Sequence, residues 1–491
     1  MESPIDSCDA IDTSSHALQH SQSPSQASTM KMELPSRDNH SSPIVPKLLF
    51  EASDVASHES SESPKRQVTL HLKRGRYRIL HQHQFKNSLL AGVGYLELAN
   101  AGDFAANVWN EVPVPNFAAV LMAIGGTLAL FMVLVAIQDC RLSWKNVKLL
   151  RTERAHLQHL RQSNNTDADL NRLIDGRLGV QVRELGTEIV DRMIMDVLMG
   201  FGSMLVGIGT LMAIGGANPQ VYHASNLLSG YIGNGMAAVF GLANAIWSGY
   251  LLYRFHMYDA ATYAREPSDA IRRRLRTRFR RFQWHAGING FNGLVAGAAS
   301  MVTAERWWGY VVLIPCIICL ILCNYFWRQK LGYDRQLFEC KSSTDMSLIS
   351  AAEELRYVII MQRSLAESEP FQPQGIVQLD RLEILRFIVR ESMLETYCES
   401  LAHDKTTRHL LKELPSSTSS PEQIIVSIET LFGLPTNHLK IIFQHAKKFL
   451  QTTGIRIFTH RERYLLELLG HTIYQDHIDA RARQDDTMER T

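Results

Sequence analysis

Two stretches, IMDVLMGFGSMLVGIGTLMAIGGA (194–217) and LLSGYIGNGMAAVFGLANAIWSGYLLY (227–253), decide the fold of this chain. A helix rises 1.5 Å per residue, so each can cross about 30 Å of hydrocarbon. With the short connection NPQVYHASN between them they predict a transmembrane helical hairpin over 193–253. The second stretch places Gly233, Ala237, Gly241, Ala245 and Gly249 at every fourth position, a small-residue face against which another helix can pack backbone to backbone.

Outward from this hairpin the same pattern recurs. Downstream, AGINGFNGLVAGAASMVT (286–303) and YVVLIPCIICLILCNYFW (310–327) flank the turn AERWWG and predict a hairpin over 285–327, with Gly293 and Gly297 again on a packing face. Trp307, Trp308, Tyr310, Tyr325 and Trp327 stand near its ends, where an aromatic belt belongs. Upstream, 117–137 is continuously apolar and is followed by Arg141, Lys145, Lys148, Arg151 and Arg154.

Residues 88–108 are long enough to cross but contain Glu97 and Asp103, each costing roughly 2.5–3.5 kcal/mol at a helix centre. On a helical wheel Glu97, Asn100, Asp103 and Asn107 fall within about 120°, a single polar stripe that turns into the bundle if the helix crosses or faces water if it lies in the interface. If this segment did not cross, the basic run Lys73, Arg74, Arg76, Arg78 and Lys86 would lie on the external side, against the positive-inside bias. Crossing is therefore the expectation, within a first hairpin spanning 67–137 with its basic lead-in.

The fold class expected is all-α: six spans in three hairpins, both termini cytosolic, in the plasma membrane or an endomembrane. Residues 1–66 are rich in Ser, Pro, Gln and His and read as a disordered tail without the apolar region of a signal peptide. Residues 138–192 read as a cytosolic helical island, 254–284 as an Arg-rich juxtamembrane segment, and 328–491 as a cytosolic helical domain with a frayed end. The chain has 491 residues and nearly balanced charge, 51 Lys+Arg against 49 Asp+Glu, so distribution carries the information.

Candidate function rests on polar groups inside apolar segments. Glu97, Asp103, Asp196, Asn289 and Asn292 are candidates for a solute pathway, since an ionisable group in low dielectric normally faces a cavity or a partner. Asn289 and Asn292 read equally as interhelical glue. In IRRRLRTRFRRFQWH, Arg272, Arg273, Arg274, Arg276, Arg278, Arg280 and Arg281 flank an apolar stripe of Ile271, Leu275, Phe279 and Phe282, which suits a helix lying on anionic lipid headgroups. The alternative is that these arginines only hold the loop inside. Cys316, Cys319 and Cys323 share one face of an apolar span and read as packing residues. His81 and His83, and His471 and His477, lack the i, i+4 spacing of a metal pair, and no P-loop, Gly-x-Ser-x-Gly or dinucleotide fingerprint occurs, so no cofactor, metal or nucleic acid is expected.

The stretch WNEVPVPNFAAVLMAIGGTLALFMVLVAIQD with the following RLSWKNVKLLRTER resembles multi-pass integral membrane proteins of filamentous fungi, over roughly residues 75–330. The resemblance includes no motif of known chemical role and implies no catalytic or binding residue. The leading functional expectation is small-solute transport or gating. The alternatives are a membrane scaffold, with a cytosolic protein partner for 328–491 or a second copy of the chain, and an intramembrane lipid-modifying enzyme, for which no catalytic motif is present.

Overall fold

The computed structural model describes residues 67–489 apart from 74–75, 80–83, 110–113, 164–167, 265–267, 338–350, 367–380, 415 and 418–419. The predicted tail, 1–66, lies outside the described residues. The chain is mostly helical, but not all-α. Strands β1 (Gln67–Lys73), β2 (Arg76–Ile79) and β3 (Gln84–Phe85) open it. The short helices α1 (Leu96–Asn100) and α2 (Phe104–Val108) follow, and then the long rods α3 (Asn116–Ser163) and α4 (Ala168–Gly186). A π-helical segment, Thr187–Ile194, joins α4 to α5 (Met195–Ala213). Another, Leu227–Gly233, joins α6 (Pro219–Asn226) to α7 (Asn234–Ala264). Next come α8 (Asp269–Thr303), α9 (Gly309–Phe326) with a π-helical end Trp327–Leu331, and β4 (Arg335–Gln336). The last part holds α10 (Ala351–Ala366), α11 (Arg381–Arg390), α12 (Leu394–His403), β5 (Ser416–Ser417), β6 (Ser420–Ser427), α13 (Ile428–Phe432), α14 (Thr436–Phe449) and α15 (Ile455–Glu489).

Among the described residues four helices are long and apolar enough to cross a membrane: Asn116–Ser163, Leu170–Ala213, Pro219–Tyr263 and Gly309–Leu331. Their faces are inverted relative to a water-soluble bundle. On α3 the large side chains Phe117, Leu121, Ile124, Phe131 and Leu134 point outward, while Ala118, Met122, Gly126 and Ala129 are buried. Large apolar groups outside and small ones inside suit lipid, where helix association depends on close backbone approach.

Two other predicted spans differ from expectation. Residues 88–108 are not one rod. The 3-10 turn Ala91–Tyr95, α1, the 3-10 turn Ala101–Asp103 and α2 follow one another, because the glycines of AGVGY and AGD favour tight turns over a continuous helix. Residues 286–303 are helical but form the second half of α8, continuous with the Arg-rich first half. Asn289, Asn292 and its several glycines dilute its apolar character. The predicted connection NPQVYHASN is mostly helix. Asn218 caps α6 by accepting from the Gln220 N–H at 3.0 Å, and Pro219 takes the first turn, where its missing N–H is not needed.

The remaining correction concerns 67–86 and the last third of the chain. β1 and β2 form an antiparallel hairpin, and β1 pairs with β6 in the sheet order β2-β1-β6-β5, with Leu70 opposite Ile424 and Val68 opposite Val426. β3 pairs with β4. Lys73, Arg76 and Arg78 of the basic lead-in thus lie in strands, and β1 is joined to residues more than three hundred positions later. α15 packs on α4, α7, α8 and α10, and one apolar core runs from Val180, Phe255, Tyr258 and Phe279 to Leu465, Leu468 and Leu355. The charged ends of the long helices and the C-terminal helices therefore make one head.

Within the apolar bundle, Gly102 and Gly125 bring the broken segment against α3. A Cβ on Gly125 would fall on the Gly102 carbonyl, backbone that has no rotamer to change. A Cβ on Gly249 would meet nothing within 4 Å. Gly125→Ala is therefore expected to lower stability by roughly 1–3 kcal/mol through overpacking. Gly249→Ala should raise it by about 0.5–1 kcal/mol by removing chain freedom from the unfolded state. Thermal unfolding of the two variants in one detergent checks the opposite signs.

Candidate functional site

The polar stripe read in 88–108 faces the interior although its helix is broken: Glu97, Asn100 and Asp103 are all buried. They reach two separate sites at different depths. Nearer the head, Glu97 enters a cavity of about 100 Å³, lined also by Asp191, Arg192, Asn244, His285 and Asn289. At roughly 30 Å³ per water this space holds about three water molecules. One Glu97 oxygen, Oε2, has no hydrogen-bond partner. Thr187, Asp191 and Arg192 come from one π-helical segment and Trp327 begins another, so two stretches of widened helix border the cavity. Such bulges recur at functional sites because the extra residue re-aims side chains and loosens backbone pairing.

At the far end of the bundle Asp103 is fully buried and accepts three hydrogen bonds. They come from the Tyr310 hydroxyl at 2.8 Å, Asn107 at 3.0 Å and Asn234 at 3.2 Å. Asn107 also donates to the Tyr310 oxygen at 2.7 Å and Asn234 to Thr303 at 3.3 Å. Three helices, α2, α7 and α9, thus converge on one carboxylate whose donors are all neutral. Asn234 directly follows the π-helical segment Leu227–Gly233. Between the two sites lie Asn100, whose amide donates toward the Met199 sulfur at 3.6 Å, and Ser203, whose hydroxyl has no partner.

Asp196 is buried beside a carboxylate-rich ion pair that the sequence reading missed. Arg192 forks onto Asp139 at 2.9 and 3.1 Å and reaches Glu188 at 2.7 Å, while Ser143 donates to Glu188 and the Leu90 N–H to Asp139. Neither Asp196 oxygen has a donor. Only the i, i+4 spacing of Glu188 and Arg192 signalled this cluster. Asn289 exchanges hydrogen bonds with Asn244, at 2.9 Å side chain to side chain, and Asn292 donates to the Cys316 carbonyl at 3.0 Å. Both tie helices together, and Asn289 lines the cavity as well. On the packing face Gly241 meets Gly293, Gly297 meets Ala238 and Ala237, Gly233 meets Gly202, and Ala245 meets Gly290; Gly249 stands apart.

The Arg-rich run does not lie on a leaflet by its apolar stripe. Ile271, Leu275, Phe279 and Phe282 are buried in the core of the head, so a protein surface covers the face that was assigned to lipid. Arg278 is buried with them, Arg274 pairs with Glu462, and Arg272 lies 3.6 Å from Asp269. Arg273, Arg276, Arg280 and Arg281 remain exposed.

A buried network fastens the head. Glu467 receives Arg183 at 2.7 and 2.9 Å and Tyr333 at 3.3 Å, with Arg278 at 3.8 Å. Arg335 bridges Glu184 and Glu153 at 2.6 to 2.8 Å, and Tyr333 joins the halves by donating to Glu184 at 2.9 Å. Burial alone would raise the Glu467 carboxyl, but the Arg183 and Arg278 charges outweigh it and hold it below the ordinary value. Burial lowers Arg278 to about 10 against the opposing pull of Glu467 and Tyr333. These partners lie up to 284 residues apart, and no local pattern announces them.

Among the described residues no group of three or more His, Cys, Asp or Glu side chains is arranged to hold a metal ion. No family model, curated protein or solved structure matches the chain.

Proposed function

We propose that the chain is a polytopic membrane protein that moves or gates a small solute through the buried polar sites of its helical bundle. In this reading the four apolar helices are joined by 88–108 and 286–303 to make six passages with both termini cytosolic. The head then lies on the cytosolic side. The observation that carries the proposal is a buried Glu97 whose Oε2 has no hydrogen-bond partner, in the wall of a cavity bounded by π-helical segments. A buried carboxyl oxygen without a hydrogen-bond partner is costly, and such a group inside an apolar bundle is retained where it serves a passing proton, ion or polar solute. Asn100 and Ser203 extend polarity from this cavity toward Asp103. The volume suits an ion or a solute of a few heavy atoms. A scaffold displaying 328–491 as a separate module has less support, because α15 shares its core with α7 and α8.

The test is flux in reconstituted vesicles, screened over protons, monovalent ions and small polar solutes. Glu97→Gln, which keeps the shape and removes the charge, is expected to cut flux at least tenfold without changing thermal unfolding. Flux equal to wild type in a folded Glu97→Gln protein, or no flux of any of these solutes in wild type, would remove the proposal.

A further inference from the structure

The exposed aromatics of four helices fall in one layer where the apolar bundle meets the head: Trp144 on α3 (56 % exposed), Tyr253 on α7 (63 %), Trp284 on α8 (72 %) and Tyr325 on α9 (62 %). Contacts beside them fix the level. Ser143 donates to the Glu188 carbonyl at 2.8 Å, Trp247 to Asp191 at 3.1 Å, Phe255 stacks on Phe282, and His285 lies 3.3 Å from the Cys323 carbonyl. Trp and Tyr so placed mark the headgroup level of a bilayer.

Just past this layer, on the side of the head, α8 exposes Arg280 and Arg281, and the π-helical end of α9 exposes Arg328 and Lys330. Arg463 of α15 caps that end, donating to the Gln329 carbonyl at 2.6 Å and the Gly332 carbonyl at 2.7 Å. Its guanidinium is therefore pinned. Burial and the facing charge of Arg281 both push Arg463 below the usual guanidinium value, against weaker opposition from Glu462 and Asp334. Those two acids are engaged elsewhere: Glu462 pairs with Arg274, and Asp334 accepts the Asn87 N–H at 2.6 Å and lies 3.5 Å from His460. Arg278, one helical turn before Arg281, donates to the Leu331 carbonyl at 3.1 Å, between the two carbonyls that Arg463 holds, so α8 brings Arg281 to the same end of α9 as the immobilised Arg463.

We infer that the phosphate of an anionic phospholipid in the adjoining leaflet occupies the gap between Arg281 and Arg463, with Arg280 and Arg328 beside it and Trp284 against the acyl-glycerol region. This differs from a helix laid on the membrane. Three arginines of the sequence run, Arg272, Arg274 and Arg278, are turned to protein, and the partner that completes the site comes from α15. The lipid is favoured over a soluble phosphate because the site opens next to Trp284 and Tyr325, at the depth of headgroups. The inference rests on membrane embedding alone and stands whether or not the bundle conducts a solute.

The test uses the full chain reconstituted in phosphatidylcholine vesicles carrying spin-labelled phosphatidylglycerol or spin-labelled phosphatidylcholine, with the motionally restricted fraction as readout. A basic residue near an anionic surface contributes about a fivefold preference. Wild type is expected to restrict phosphatidylglycerol several-fold over phosphatidylcholine, and Arg281→Gln to remove about fivefold of that preference. Arg463→Gln should act likewise. Because it also uncaps α9, Arg281→Gln, an exposed site, is the decisive variant. Arg273→Gln, exposed but two helical turns farther from the membrane, should leave the preference in place, and Arg281→Lys should restore most of it. Equal restriction of both lipids by wild type, an unchanged preference in folded Arg281→Gln, or full displacement of the labelled lipid by inorganic phosphate would overturn the assignment.

Discussion

Glu467→Ala is expected to be the most destabilising single change outside the bundle, by about 3–5 kcal/mol, because it breaks a buried ion pair from one side only. Glu467 is fully buried and is the shared acceptor of Arg183 and Tyr333, with Arg278 close by. Without it the network keeps three guanidinium groups, Arg183, Arg278 and Arg335, and two carboxylates, Glu153 and Glu184, both of which already serve Arg335. Arg183 is left buried with only the Tyr333 oxygen. The cost is that of the stranded cation rather than the worth of the lost bond, so adding Arg183→Leu to Glu467→Ala should recover part of the loss. The pH dependence has a definite sign. The folded-state pKa of Glu467 is depressed, so its stabilising contribution is complete above the ordinary glutamate value and is lost as pH falls through the folded value. Wild type should therefore lose more stability between neutral and strongly acidic pH than Glu467→Ala does. Thermal unfolding in detergent at both pH values measures the two differences, and equal acid sensitivity would contradict the role given to this carboxylate.

The parts of this fold that were legible in the sequence are those set by a single local requirement. Hydrocarbon demands a long uninterrupted apolar helix, so 117–137, 194–217, 227–253 and 310–327 could be read from composition, and four helices of the structure meet that requirement. Periodicity groups Glu97, Asn100 and Asp103 on one stripe but leaves it free to face the bundle or, from an interfacial helix, water; loop charge favours the bundle, and all three are buried. What periodicity cannot supply is the identity of the covering surface. Ile271, Leu275, Phe279 and Phe282 announce an apolar face equally well for lipid and for protein, and the protein that covers them, around Leu465 and Leu468, lies some 190 positions later. The β1–β2 hairpin was a different failure. Val68, Leu70 and Leu72 alternate strictly, and Lys73-Arg74-Gly75-Arg76 can make a turn, so a strand signal was present but was outweighed by the charge of the segment. The head network and the Asp139, Glu188 and Arg192 cluster are assembled from residues that are ordinary helix-surface charges in sequence and become buried only through tertiary packing.

Asp103→Leu is expected to cost about 3 kcal/mol, and Asp103→Asn about 1 kcal/mol, because the first removes the acceptor of three hydrogen bonds and strands the Tyr310 hydroxyl, whereas the second keeps an acceptor oxygen in place. Tyr310, Asn107 and Asn234 all point at the carboxylate from different elements. A leucine of similar volume would leave the Tyr310 hydroxyl without its acceptor, while Asn107 would keep the Tyr310 oxygen and Asn234 would keep Thr303. Those residual bonds are why the loss stops well short of three full desolvation penalties. An asparagine keeps one acceptor oxygen for Tyr310, and its amide then opposes the Asn107 and Asn234 amides, which can turn about their terminal torsions to present oxygen instead. The pair of variants thus separates two properties of one residue, since Asp103→Asn removes the negative charge while largely sparing the fold. Thermal unfolding ranks the variants, and flux in the same vesicles used for Glu97 asks whether charge is needed at the far site. Lost flux with near-wild-type unfolding in Asp103→Asn would place Asp103 on the solute's route. Retained flux would leave it as the polar knot that seats 101–103 between α3 and α9, and would confine the conducting role to the cavity around Glu97.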